Sequence, residues 1–337
     1  MIDYRSDTVT KPSPKMLKAM MNASVGDDVF SEDPTVNELE RKIAGLFEME
    51  SAIFCPSGTM TNQIAIKCHT QPADEIICDK LSHIYQYEGG GIAFNSGCSV
   101  KLIGGNFGRI NAEQIKDAIN ADDVHKPKSS LVSLENTANR GGGSCYAFSE
   151  LIHIKKVCEE NDLKLHLDGA RIFNAITAKK EQPKIYGKIF DSISICLSKG
   201  LGAPVGSVLL GTKEFIKKAR RIRKVFGGGM RQAGILAAAG IYALENNIER
   251  LQEDHNHAKM LAKALSEKDF IGEIFPVETN IIIFEVKGKF TAQDLSSKLK
   301  ENNILAIAIS PTQMRIVTHL DISNEMVEQT IEVFKNL

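Results

Sequence analysis

Two stretches decide the fold: LKLHLDGAR at residues 163–171 and SISICLSKGLGAPVGSVLLG at residues 192–211. In the first, apolar and polar residues alternate up to Asp168, which is the pattern of a β-strand. In the second, apolar runs at residues 192–197 and 205–211 flank a glycine-rich turn. These runs predict two further strands on either side of the turn.

The same pattern extends outward through the first two thirds of the chain. Apolar runs predict strands, and apolar residues at helical spacing predict helices that begin near Asp33, Thr59 and Leu151. The additional predicted strands are residues 52–55, 75–79 and 130–135. Strands separated by helices form βαβ units. We therefore expect an α/β fold with a mostly parallel central sheet flanked by helices.

The pattern changes from about residue 235. A long helix is predicted over residues 235–265, followed by strands and helices in mixed order up to the final residue. This order is typical of a small C-terminal α+β domain. We predict three parts: an N-terminal segment, a large domain and a small C-terminal domain, at residues 1–14, 15–245 and 246–337.

Composition excludes several classes of function. The formal net charge of −1 gives no support to nucleic-acid or membrane-surface binding. No apolar run approaches the roughly 18 residues that span a bilayer. Seven scattered cysteines without a Cys-x-x-Cys pair predict neither disulfides nor a zinc site, and we expect no bound metal. We expect a cytoplasmic protein, since a reducing compartment fits free cysteines.

Lys199 is the strongest single feature of the chemistry. It lies in Ser198-Lys199-Gly200-Leu201-Gly202, in the turn between two apolar strands. Burial of an amine disfavours its charged form and makes it a better nucleophile toward a carbonyl. Such a lysine suits a Schiff base with a carbonyl cofactor. The alternative is a surface lysine in a flexible glycine loop.

Asp168 and Arg171 form the second feature. Asp168 falls at the carboxyl end of a predicted strand, where open α/β sheets bind their ligands. A carboxylate there can keep a pyridine nitrogen protonated, which makes the ring an electron sink. The planar fork of Arg171 suits a ring oxygen or a substrate carboxylate. The alternative is a helix cap followed by a surface arginine.

Two further segments suit anions. Ser57-Gly58-Thr59 separates a predicted strand from a predicted helix, and helix N-termini bind phosphate. Gly227-Gly228-Gly229, two residues before Arg231, suggests an anion-binding turn. The basic run at residues 217–224 is more typical of a solvated helix. Residues 206–213 resemble a P-loop, but the Lys follows the Thr there, which is the wrong order.

A set of sequence blocks in order resembles the low-specificity L-threonine aldolases, which are pyridoxal-phosphate enzymes of fold type I. The blocks are DYRSDTVT, GDDV, EDPTVN, PSGTM, ENT, HLDGAR, LSKGLGAPVG and GGGMRQ, at residues 3–10, 26–29, 32–37, 56–60, 135–137, 166–171, 197–206 and 227–232. The resemblance implies a lyase that cleaves L-threonine or L-allo-threonine, and related β-hydroxy amino acids, into glycine and an aldehyde.

The resemblance also implies roles for single residues. Lys199 would hold pyridoxal 5'-phosphate as a Schiff base, Asp168 would pair with the pyridine nitrogen, and His83 would stack on the ring. The phosphate would lie against Ser57, Gly58 and Thr59, with Lys224 and Arg231 supplied by a neighbouring subunit. The substrate would contact Ser6, Phe30, Tyr87, His125, Arg171 and Arg315. His125 or His83 would take the hydroxyl proton, directly or through water.

Some residues depart from the pattern of the resembled family. Phe30 stands where Tyr is expected, Ala138 replaces His, and Glu88 is followed by three glycines. These departures leave open the preferred substrate and its threo or erythro form. The resemblance further implies a homotetramer, built as a dimer of dimers with shared sites. The alternatives are β-elimination or serine hydroxymethyl transfer on the same scaffold, or a non-catalytic protein that binds pyridoxal phosphate.

Overall fold

The computed structural model describes the whole chain, residues 1–337. Its central feature is a seven-stranded sheet, which confirms the predicted α/β class. The strands of this sheet are β2 (Ser51–Cys55), β3 (Glu75–Asp79), β4 (Ser99–Ile103), β5 (Ser129–Glu135), β6 (Lys164–Gly169), β7 (Ser192–Cys196) and β8 (Ser207–Gly211). Their order is β2-β8-β7-β6-β5-β3-β4, and β8 alone runs antiparallel to its neighbours β2 and β7.

Helices cover both faces of this sheet, as expected for parallel strands joined by crossovers. They are α1 (Pro14–Met21), α2 (Pro34–Leu46), α3 (Gly58–His69), α4 (His83–Gln86), α5 (Ala112–Ala118), α6 (Phe148–Glu160), α7 (Ile172–Lys179), α8 (Pro183–Gly187), α9 (Lys213–Val225) and α10 (Gly234–Asn246). Local signals start several of them. The carboxylate of Asp33 accepts from the amides of Thr35 and Val36, and Pro34 takes the first position of α2.

The remaining elements form a second, smaller unit around a four-stranded antiparallel sheet of order β12-β13-β10-β9. These elements are α11 (Leu251–Ser266), β9 (Ile271–Ile274), β10 (Ile281–Val286), α12 (Ala292–Glu301), β11 (Ile304–Leu305), β12 (Ile307–Ala308), β13 (Gln313–Val317) and α13 (Asn324–Asn336). The first strand of the chain, β1 (Ile2–Asp3), pairs with β11, so the N-terminal segment joins this unit.

The two largest of the hydrophobic clusters match the two units. The larger has 42 buried residues beneath the seven-stranded sheet and its helices. The smaller has 20, among them Tyr4, whose hydroxyl lies 3.0 Å from the Thr330 hydroxyl oxygen. The division at residues 14 and 245 stays a prediction. None of the helices is both long and apolar enough to cross a membrane.

The single helix predicted over residues 235–265 is wrong, because the chain forms α10 and α11 with a break between them. Asn247 ends α10, and its side-chain amide donates to the Leu201 carbonyl oxygen at 2.7 Å. This contact ties the helix end to the glycine-rich turn after β7. Strand β4 was not predicted, since its half-exposed edge position lets Ser99 and Lys101 interrupt the apolar pattern.

Candidate active site

A cavity of about 330 Å³ opens at the carboxyl edge of the parallel strands. Glu135 ends β5, Ala170 follows β6 and Lys199 follows β7, so neighbouring strands deliver all three to one edge. The small unit contributes Ile309 and Arg315 to the opposite wall. The complete lining is Ser6, Thr8, His83, Tyr87, Glu135, Asn139, Arg140, Ala170, Arg171, Lys199, Ile309 and Arg315.

Lys199 is held by a tight turn. The Gly202 amide donates to the Lys199 carbonyl oxygen at 2.8 Å, and Gly202 has a φ of +79°, which favours glycine. The Lys199 side chain is half-buried in the cavity wall and makes no hydrogen bond with another protein group. The amine is therefore presented to the cavity without a competing partner.

Arg171 pairs with a carboxylate that the sequence did not single out. Its Nε and Nη2 each donate to an oxygen of Asp7 at 2.7 Å, and both side chains are buried. Burial alone raises the pKa of Asp7, but the Arg171 guanidinium and the Lys199 charge outweigh it and lower the pKa to about 2. Arg171 lines the cavity with two of its five N–H groups committed to Asp7, so both N–H groups of Nη1 and the second of Nη2 remain for a ligand.

Asp168 lies beneath the cavity and is almost completely buried. Its Oδ1 accepts from the Ala170 amide at 3.1 Å, and its Oδ2 accepts from the side-chain amide of Asn62 at 3.0 Å. Ligand atoms of Asp168, Glu88 and His83 lie within 4.8 Å of one another. Acidic side chains and one imidazole therefore share the floor of the site.

The backbone and the ring of His83 each contact a carboxylate. Its backbone amide donates to Glu135 at 2.7 Å, and its Nδ1 lies 3.0 Å from Glu88 Oε1. Burial lowers the pKa of His83, but the Glu88 hydrogen bond and the charges of Asp168 and Glu135 raise it overall. The Tyr87 ring lies 5.7 Å away, centroid to centroid.

Glu135 is buried and shares this environment. Burial and the Asp168 charge raise the pKa of Glu135 to about 7, although the amides of Asn139 and His83 both donate to its carboxylate. Glu135 therefore titrates near neutral pH at the cavity wall.

Arg315 faces the cavity with an unsatisfied donor. Its Nη1 donates to the Asn139 side-chain oxygen and its Nη2 to the Arg5 carbonyl oxygen, each at 3.0 Å. Its Nε is buried without any partner. Burial and the charges of Arg171 and Arg140 lower the pKa of Arg315 to about 10. The part of the cavity near Arg315 therefore has an excess of positive charge, which suits an anionic ligand.

The start of α3 suits a phosphate. The Ser57 hydroxyl caps the Met60 amide at 3.2 Å, while the Gly58 and Thr59 amides make none of the turn or cap hydrogen bonds. A Cβ on Gly58 would lie 3.5 Å from Ser207 Oγ, which is itself buried without a partner. Since Asn62 of the same helix touches Asp168, this helix start lies about one turn, or about 5 Å, from that contact. These free donors fit the phosphate of the expected cofactor.

Four of the expected residues lie away from the cavity. His125 is 86% exposed, and its Nδ1 lies 2.8 Å from Asp123. It precedes β5, so the seven residues of that strand, about 20 Å, separate it from Glu135. Phe30, Lys224 and Arg231 are exposed on the outer surface, with Arg231 paired to Asp27 at 2.8 Å. A single chain does not bring any of the four to the cavity.

Sequence reasoning missed several lining residues. Glu135, Asn139 and Arg140 follow a predicted strand at the edge where parallel strands deliver their ligands, and this signal would have found them. Thr8 lies beside the expected Ser6, whose hydroxyl accepts from the Thr8 amide at 3.2 Å. For Ile309 no sequence signal exists, because it reaches the cavity only through the packing of the small unit.

Sequence comparison identifies the family of the chain. The model of the beta-eliminating lyase family matches residues 3–304. The low-specificity L-threonine aldolase of Escherichia coli K12 is 45% identical over 330 residues, covering 98% of this chain and 97% of that protein. The chain belongs to the low-specificity L-threonine aldolase branch of this family. Low-specificity L-threonine aldolase 1 of Arabidopsis thaliana is 40% identical over 341 residues, covering 99% and 95%.

Solved structures share the fold of this chain. A threonine aldolase of Leishmania major superposes with a TM-score of 0.87 at 23% identity, covering 100% of this chain and 99% of that chain. A serine palmitoyltransferase of Sphingomonas wittichii shares the fold with a TM-score of 0.79 at 16% identity. Because the second enzyme has another name and the same fold, the fold alone does not decide the reaction.

Proposed function

We propose that this chain cleaves the Cα–Cβ bond of L-threonine and L-allo-threonine, and of related β-hydroxy amino acids, to give glycine and an aldehyde. The observation that carries the proposal is that Lys199 and Arg315 line one cavity, while Asp168 is buried beside His83 in its lining. This arrangement occurs in a chain that is 45% identical to an E. coli low-specificity L-threonine aldolase.

The cofactor of the proposed reaction is pyridoxal 5'-phosphate, which supplies an electron sink for the breaking bond when it is bound. Lys199 would hold it through its amine, and Asp168 would hold a proton at the pyridine nitrogen. The free amides of Gly58 and Thr59, with Ser57, would hold the phosphate. Nη1 of Arg171 would lie near the ring oxygen, with its position fixed by Asp7.

Arg315 binds the substrate carboxylate in this proposal. It lines the cavity together with Arg171 and Arg140, and a carboxylate would balance the excess positive charge of these three side chains. Ser6 and Arg171 line the same cavity and complete the anion site. Holding the carboxylate fixes the rotation about Cα, which decides which bond breaks.

His83 takes the hydroxyl proton. The Glu88 carboxylate accepts hydrogen bonds from Asn62 at 2.9 Å and from Gln63 at 2.7 Å, and it has no hydrogen to donate in return. His83 Nδ1 must then donate to it, which leaves His83 Nε2 free to accept a proton. Tyr87 flanks His83 at the side-chain end of the cavity. His125, the other candidate base, would have to come from a neighbouring subunit.

Shared sites between subunits complete the proposal. Lys224 and Arg231 are exposed cations that line no part of their own cavity, and Phe30 is a large apolar side chain exposed near them. Exposed apolar and cationic groups together suit an interface whose partner supplies an anion. We propose that they face a neighbour's phosphate site in a cytoplasmic homotetramer.

Product analysis tests the reaction against β-elimination, which the description of the matching family makes the second candidate. Purified protein with pyridoxal phosphate is incubated with L-serine and with L-allo-threonine. Glycine and the corresponding aldehyde are the expected products. Pyruvate and ammonia from serine would overturn the aldolase assignment in favour of β-elimination.

A further inference from the structure

A file of hydrogen-bonded side chains runs between α3 and the sheet, from His69 near the start of β7 to Asp168 at the carboxyl end of β6. His69 Nε2 lies 2.8 Å from Ser192 Oγ, and the same oxygen lies 2.8 Å from His166 Nδ1. His166 Nε2 then lies 3.2 Å from Asn62 Oδ1, and Asn62 Nδ2 lies 3.0 Å from Asp168 Oδ2. The four residues before Asp168 line no part of the active-site cavity, and the proposed reaction gives them no role.

The carboxylates fix the direction of the last two bonds. Asn62 Nδ2 lies 3.0 Å from Asp168 and 2.9 Å from Glu88. Carboxylates only accept hydrogen bonds, so the amide nitrogen must face both of them. The oxygen of Asn62 then faces His166, and His166 Nε2 must carry the hydrogen.

Neutral imidazole fixes the direction of the first two bonds. Burial and the neighbouring His69 lower the pKa of His166 to about 3, although Asp168 opposes them. A neutral ring with its hydrogen on Nε2 accepts at Nδ1, so the Ser192 hydroxyl must donate to it. The Ser192 carbonyl also lies near the ring, but only the hydroxyl makes a hydrogen bond with it. Ser192 Oγ must in turn accept from His69 Nε2.

The surroundings of His69 keep this direction fixed. Burial and the charges of Lys164 and Lys218 lower the pKa of His69 to about 3, so the ring stays neutral. The ring also stacks on Phe215 with centroids 4.6 Å apart. These contacts lie at a second cavity of about 370 Å³ at the amino-terminal ends of β6 and β7, lined in part by Lys164 and Lys218.

We propose that His69, Ser192, His166 and Asn62 are positioning residues that direct every donor of the file toward Asp168 and so stabilise its negative charge. Hydrogen bonds aligned in one direction polarise one another, and the last of them is charge-assisted. A stabilised Asp168 carboxylate keeps the proton on the pyridine nitrogen of the bound cofactor. This consequence rests on the proposed function, whereas the direction of the file does not.

The direction is tested on the cofactor-free protein. Solid-state ¹⁵N NMR of histidine-labelled protein at pH 7 identifies the nitrogen that carries the hydrogen, and His166→Asn and His69→Asn variants assign the two signals. Both rings are expected to be neutral with the hydrogen on Nε2. A hydrogen on Nδ1 of His166, or a doubly protonated ring, would reverse or break the file and overturn the proposal.

The effect on the cofactor is tested by Ser192→Ala with Ser194→Ala as matched control. Both serines are buried in β7, but the Ser194 hydroxyl pairs with Thr61 at 2.6 Å, outside the file. The readout is the ¹⁵N shift of ring-labelled pyridoxal phosphate in the holoenzyme. Ser192→Ala is expected to move it toward the unprotonated form and to lower kcat about tenfold with little change in KM. Ser194→Ala is expected to change neither.

Two outcomes count against the file. An unchanged ring shift in Ser192→Ala, or an equal change in Ser194→Ala, would overturn the proposal. If the wild type binds no pyridoxal phosphate, the proposed function fails. The NMR measurement of the His166 and His69 tautomers then decides by itself whether the hydrogen bonds of the file point toward Asp168. The tautomers also decide if Ser192→Ala does not fold, since they are read in the wild-type protein.

Discussion

Asp7→Asn is expected to destabilise the chain by about 3–5 kcal/mol, because it leaves the Arg171 guanidinium buried without a counter-charge. The pKa of Asp7 is lowered from 3.8 to about 2, which alone corresponds to about 2 kcal/mol at about 1.4 kcal/mol per pH unit. We expect Asp7→Asn to lower the free energy of unfolding by more than this figure. The pKa shift measures protonation of Asp7, whereas the substitution removes the carboxylate beside a buried arginine. Because the folded pKa is depressed, the contribution of Asp7 is fully present above about pH 4. It is lost as the pH falls toward 2.

Urea unfolding at fixed protein concentration measures the effect, since oligomerisation would otherwise shift the midpoint. Asp3→Asn is the matched control: it removes a more exposed ion pair with Arg5, which solvent screens, so the free energy of unfolding should change little. The double variant Asp7→Asn/Arg171→Gln should lose less free energy of unfolding than the sum of the single variants. The reasoning is refuted if Asp7→Asn costs no more than Asp3→Asn, or if the two single losses simply add.

Four further predictions follow from the site. His83→Asn should lower kcat for threonine cleavage about a hundredfold with a small change in KM, and a normal kcat would exclude His83 as the base. Arg315→Gln should raise KM for threonine about tenfold or more, whereas an unchanged KM would place the carboxylate elsewhere. Glu135 has its pKa raised to about 7, so its contribution to the free energy of unfolding is lost as the pH rises from about 4.5 to 7. Unfolding of Glu135→Gln should lack that pH dependence, and an identical dependence would contradict the assignment. Mixing inactive Lys199→Ala and Arg231→Ala subunits should restore about a quarter of wild-type activity if sites are shared, and no recovery would refute sharing.

Strand positions were predictable where burial on both faces leaves a continuous apolar run, as at residues 75–79 and 192–196. The carboxyl edge of the sheet then followed from the parallel order, which is why Asp168 and Lys199 could be expected at one site. The break between α10 and α11 could not be predicted, because its cause is a tertiary contact between Asn247 and Leu201.

Contacts between residues far apart in the sequence were the main features that the sequence did not predict. Arg171 was expected to face a ligand, yet most of its fork is held by Asp7, which lies 164 positions away in the sequence. His69 and Ser192 belong to no recognisable sequence motif, and only the packing of α3 on β7 brings them into one file. The roles expected of His125, Lys224 and Arg231 depend on a neighbouring subunit, so they stay predictions.

The most direct test of the central claim is aldehyde release from L-threonine, coupled to NADH oxidation by alcohol dehydrogenase. The wild type is compared with Lys199→Ala and with Lys156→Ala, a control that removes an exposed lysine of α6. We expect aldehyde from the wild type and from Lys156→Ala, and none above background from Lys199→Ala. Absence of aldehyde from a wild type that carries bound pyridoxal phosphate, or equal rates with and without Lys199, would contradict the account.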